Sequence, residues 1–165
     1  MSGRIVLAVA PDTGAEVIET AFTAAAERGV PLLAVRIWHD PDLPVGGWLR
    51  PERTTAWDAA HHQARRQLDA ALDRGRAAHP DVEVATVVVD DDLVPFLGAL
   101  SLRAELLVVG RSRRPGREAS PVDALVRQAA CPVLVVPPGR HSPCTTTARA
   151  FPMPQPRGLR CEPRT

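Results

Sequence analysis

Two short stretches without a single polar residue, Leu106 to Val109 and Val133 to Val136, bracket one amphipathic segment. This pattern limits the fold more than any other feature of the chain. A strand with one wet face alternates apolar and polar residues. A continuously apolar strand is covered on both faces, the condition of a parallel sheet held between helices. Strand, loop, helix and strand make a βαβ unit here, and the loop after Gly110 opens at the carboxyl end of its strand. At that edge open α/β sheets bind their ligands.

The preceding residues repeat the alternation. A first strand is expected over Arg4–Val9, followed by a helix after Thr13-Gly-Ala-Glu16, a capping-box spacing. Its buried stripe is Ile18, Ala21, Phe22 and Ala25, and Gly29 takes the position of a terminating C′ glycine. A second strand covers Pro31–Trp38, and a connection from His39 to Arg53 carries three prolines and Gly46-Gly47. A long helix follows over Thr54–Ala78, with Trp57, Ala60, Ala64, Leu68, Ala71 and Leu72 on one face. Then come a strand over Val82–Val89, a helix over Leu93–Leu102 with Asp92 as N-cap, and the strand Glu105–Val109. A helix over Pro121–Ala129, burying Val122, Leu125, Val126 and Ala129, leads into a last strand ending at Pro137. The order βαβαβαβαβ predicts an α/β domain with a five-stranded parallel sheet, helices on both faces and right-handed crossovers.

Composition removes several kinds of chemistry. All 20 basic residues are arginine, so no P-loop lysine and no Schiff-base lysine exists. Tyrosine is absent as well. Cys131, Cys144 and Cys161 are odd in number and show no C-x-x-C spacing, which suggests neither a disulfide framework nor a zinc site. No apolar run is long enough to span a membrane. The N-terminal apolar stretch is too short for a signal peptide, and the expected location is cytoplasmic. Residues 1–137 carry 15 Arg against 18 acidic residues, whereas residues 138–165 carry 5 Arg against 1 Glu. That second segment holds six prolines and almost no large apolar residues. We read residues 1–137 as the folded domain and 138–165 as a disordered Pro/Arg-rich basic tail.

The wording from Ala104 to Pro137 resembles the final third of a universal stress protein domain, whose ending reads V-V-G, a glycine-rich loop, G-S or G-T, a helix, then C-P-V-L-V-V. The resemblance covers residues 4–137. It implies an adenine nucleotide alpha hydrolase-like sheet of order 3-2-1-4-5, with a crevice where the connections of strands 1 and 4 diverge. In ATP-binding relatives an acidic residue after strand 1 helps hold the nucleotide, and a G-x-x-G-x9-G-[S/T] loop after strand 4 wraps its phosphates.

Carried over residue by residue, Gly110 matches the first glycine, Ser120 the [S/T] position and Ala119 the glycine before it. Eight residues separate Gly110 from Ala119 where the motif has twelve, and Gly116 stands in the wrong place for the middle glycine. The acidic position is Ala10, with Asp12 two residues later, and Pro121 removes an N–H donor from the helix start. The ATP motif therefore reads as degraded, and no cofactor is expected. Against this, Arg111, Arg113, Arg114 and Arg117 cluster at the phosphate end of the crevice, and arginine forks suit phosphate oxygens. A solvated arginine loop with Ser120, Pro121 and Asp123 as a complete helix start is the competing and simpler reading.

Other groupings are weaker. His61-His62 point about 100° apart on a helix, so both cannot easily ligate one metal. His39-Asp40 reads as exposed loop, and Asp90-Asp91-Asp92 as helix capping. The resemblance implies a stress-response protein acting by association rather than catalysis, with ATP/Mg or AMP binding by the arginine loop as the alternative. In relatives the fifth-strand edge mediates dimers. Val133, Leu134, Val135 and Val136 would then pair antiparallel with a second copy across a two-fold axis. A partner protein is expected, a membrane is not, and nucleic acid could be reached only through the basic tail.

Overall fold

The computed structural model describes residues 3–38, 55–111 and 121–138. Nine elements follow one another: β1 (Ile5–Ala8), α1 (Ala15–Arg28), β2 (Leu32–Trp38), α2 (Thr55–Ala78), β3 (Val84–Asp90), α3 (Leu93–Ser101), β4 (Leu106–Gly110), α4 (Pro121–Gln128) and β5 (Val133–Val136). The five strands are all parallel and lie in the order β3-β2-β1-β4-β5. This is the adenine nucleotide alpha hydrolase-like sheet that the resemblance implied.

The apolar runs are explained by two cores, one on each face. Ile5, Leu7 and Val9 point toward α1 and α2, where they meet Phe22, Leu68 and Leu72. Val6, Leu107 and Val109 point the other way, toward Leu97 of α3 and Leu125 of α4. Successive side chains of a strand take opposite faces, so a strand feeding both cores needs an apolar residue at every position.

The end of α1 is as the sequence predicts. Gly29 is left-handed at φ 61°, and Val30 N–H to Ala25 O and Gly29 N–H to Ala26 O, both 3.2 Å, form a Schellman closure. The start of α1 differs. Gly14 occupies the N-cap without a side-chain bond, and the Thr13 hydroxyl instead accepts the Ala10 N–H at 2.7 Å. The chain turns back at residues 11–12, which aims Thr13 at the strand end before the helix begins. Asp92 takes the N-cap position of α3 but its side chain makes no cap bond; Asp91 Oδ1 accepts the Asp92 N–H at 2.8 Å.

The stripe of α4 is narrower than expected. Leu125 is fully buried, while Val126 is 49% exposed. An eight-residue helix whose helical neighbour is α3 has only one side to bury.

Candidate functional site

The carboxyl ends of β1, β2 and β4 open into a crevice on the α3/α4 face. Its volume is about 80 Å³, and Ala8, Ala10, Val109, Gly110, Leu97 and Leu125 are among the residues that line it. Two of the predicted positions, Ala10 and Gly110, therefore meet at the strand divergence where the resemblance located a ligand. No ionisable side chain is among the described residues that line it. Most of the wall consists of aliphatic carbons already serving the α3/α4 core. Such a surface can cover a flat apolar group but offers no charge to a phosphate.

Each predicted residue can be placed in turn. Ala10 is exposed, presents a methyl where a carboxylate would be needed, and gives its N–H to Thr13. Asp12 lies in the turn before Gly14, which takes the N-cap position of α1. Gly110 ends β4, and a Cβ added there would stand 3.1 Å from Val17 Cγ2. Close packing of α1 on β4 is reason enough for glycine at that position.

Arg111 donates its backbone N–H to Val136 O at 3.0 Å, which holds the loop entrance to β5. Its guanidinium Nη2 meets Asp123 Oδ1 of α4 at 3.2 Å, with both side chains about half exposed. One cation of the arginine cluster is thus engaged with the acid in the first turn of α4. Arg113, Arg114, Gly116, Arg117 and Ser120 lie outside the described residues, as do His39 and Asp40.

The sequence reading missed two features near the β2 end. Trp38 and Trp57 meet at 5.7 Å, and His61 stacks on Trp57 at 5.2 Å with the rings 11° apart. Trp57 Nε1 reaches Asp90 Oδ2 of β3 at 3.5 Å. His61 is thereby a packing residue, and no group of three or more metal-ligating side chains is found among the described residues. The only available signal was Trp57 on the apolar face of α2. Arg36, inside an otherwise apolar strand, is the second: it is buried, and its Nη2 donates to Gln67 Oε1 at 2.6 Å.

At the far edge of the sheet, β5 pairs with β4 alone among the described residues. Pro132 O and Val136 O accept bonds from Leu107 N–H and Arg111 N–H. Backbone groups of a parallel strand alternate sides, so Val133 and Val135 turn their N–H and C=O toward the open edge. No helix among the described residues is long and apolar enough to cross a membrane.

The family model of the universal stress protein family matches residues 1–137. A universal stress protein of Mycobacterium tuberculosis is 36% identical over 124 residues, covering 71% of this chain and 38% of that protein. A second from the same species is 33% identical over 119 residues, covering 70% of this chain and again 38% of the relative. The chain thus spans well under half the length of these relatives.

Among solved structures, a universal stress protein in complex with cAMP superposes with a TM-score of 0.60 at 21% identity, covering 83% of this chain and 98% of the other. One from Burkholderia pseudomallei gives 0.56 at 26% identity, over 83% of this chain and 96% of the other. With a family model running across both cores and the crevice on the α3/α4 face, the chain belongs to the universal stress protein family.

Proposed function

We propose that this stress-response protein works as an association module, pairing with a second copy along the β5 edge and presenting the joined domains to a protein partner. The observation that carries this reading is the open edge itself. Val133 and Val135 turn backbone groups away from β4 that pair with none of the described residues, and Leu134 on the same strand is 39% exposed. An apolar edge strand of this kind pairs readily with an identical one across a two-fold axis.

Val135→Pro tests the proposal. The N–H it removes faces away from β4, and proline is tolerated on an edge strand, so the fold is kept while outward pairing is lost. The wild type should sediment as a dimer and the variant as a monomer with unchanged circular dichroism. A monomeric wild type, or a variant that still dimerises, would overturn the edge interface.

A second reading is supported by the crevice and by the nucleotide held by one structural relative: binding of a nucleoside phosphate beside Ala10 and Gly110. Three observations weigh against tight ATP binding. Ala10 brings no carboxylate, Asp123 already engages Arg111, and about 80 Å³ is small beside the roughly 300–1,000 Å³ of usual ligand pockets. ATP/Mg at about 1 mM should leave the melting temperature unchanged. Saturation at a hundred times Kd would add about 2.7 kcal/mol, a shift easily seen, and would favour the second reading. Loss of that shift in Arg113→Ala/Arg114→Ala would assign it to the arginine loop.

A further inference from the structure

The helical layer on the α1/α2 face stops short of β5. Leu134 and Val108 are register partners across β4 and β5, yet Val108 is fully buried and Leu134 is 39% exposed. Between α1 and this uncovered strand runs an open groove of about 450 Å³. Its apolar floor includes Ala24, Leu106 and Leu134, and its wall carries three glutamates and one arginine. The arginine, Arg28, is turned back on its own helix, where Nη1 donates to Ala24 O at 3.2 Å. The wall is therefore acidic, with Glu19 and Glu27 two helical turns apart.

The chain that leaves β5 has the opposite character. Residues 139–165 contain Arg140, Arg149, Arg157, Arg160 and Arg164 against Glu162, with Phe151, Met153 and Leu159 between them. It departs at the right end of the groove. Gly110 pairs with Val136 in the β4–β5 register and packs against Val17, so the N-terminal end of α1 stands at the β5 exit. Fourteen residues of α1 extend about 21 Å from there, a length that a few extended tail residues can follow.

We propose that the basic segment 139–165 seats in the acidic groove between α1 and β5 of its own chain. Its arginines lie along Glu19 and Glu27, and its apolar residues cover Leu134. Exposed ion pairs contribute little singly. Tethering makes the contact intramolecular, at an effective concentration in the millimolar range for a short flexible connection. The contact is consequently weak and salt-sensitive, and it is separate from the edge pairing proposed above.

The test uses the full chain with Cys131→Ala and Cys144→Ser, carrying a nitroxide on Cys161. The labelled, 15N-enriched chain is diluted tenfold with unlabelled protein, so that only contacts within one molecule are read. In about 25 mM salt, amide signals of Glu19, Thr23, Glu27 and Leu134 should lose at least half their intensity. They should recover in about 500 mM salt and in Glu19→Gln/Glu27→Gln. Signals that keep full intensity at low salt would overturn the proposal. So would losses that vanish on dilution, since the segment would then sit on another copy, and losses unaffected by the glutamine pair.

Discussion

Phe22→Ala is expected to lower the free energy of unfolding by about 3–5 kcal/mol. Phe22 is fully buried at the centre of the α1/α2 core and stacks on His79 at 6.0 Å. Its ring has room only because α2 carries a glycine opposite: a Cβ on Gly75 would stand 2.3 Å from Phe22 Cε2. A helix-interior glycine costs about 1 kcal/mol relative to alanine. Gly75→Ala should nevertheless destabilise, by about 1–3 kcal/mol, because the added methyl drives into the ring. In Phe22→Ala/Gly75→Ala the methyl occupies part of the space the ring leaves. The double variant should then be more stable than the sum of the two losses predicts, by about 0.5–3 kcal/mol. Urea unfolding of the four proteins measures this directly, and strict additivity would mean that the two side chains do not share the space.

Arg36→Met is expected to stabilise the protein, and Gln67→Leu to destabilise it. Arg36 is 7% exposed. Its Nη2 is held by a neutral amide oxygen, and its Nε has no partner among the described residues. Burial in the α1/α2 layer pushes its guanidinium pKa below the ordinary arginine value. Replacing such a group by an apolar side chain of similar length can gain about 1–4 kcal/mol. Removing Gln67 takes away the acceptor that Arg36 Nη2 has among the described residues, at a cost of about 1.5–3 kcal/mol. In the Arg36→Met background that cost should vanish.

The sign with pH follows from the lowered pKa. The unfolded chain binds this proton more tightly than the folded one, so stability rises only as pH climbs from the lowered value toward the ordinary arginine value. Below that interval the full penalty is present. Both effects should therefore be flat between about pH 6 and 9. A destabilised Arg36→Met would show that the guanidinium contributes more by packing than it costs by burial.

The fold class and the alternation of elements were legible in the residues, because continuity and period are local properties of a chain. A strand without polar interruption must feed two cores, and such strands within a series of five separated by helical stripes leave little besides a doubly covered parallel sheet. Gly29 was legible for the same reason, since a helix end is written within a few residues.

The order of the strands came from resemblance rather than period. What the tertiary structure alone decided are the pairings of residues far apart. Val17 brought against Gly110 gives that glycine a packing reason, and Arg111 across to Asp123 places a cation and an acid together. Trp38 and Trp57 join Asp90, and Arg36 lies under α2 with Gln67. Thr13 and Val126 show the limit from the other side. Their local patterns called for a cap and a buried face, but the turn aimed one elsewhere and the short helix left the other uncovered. Spacing along the chain fixes which face a residue takes. Only the docking of helices on the sheet fixes what it meets there.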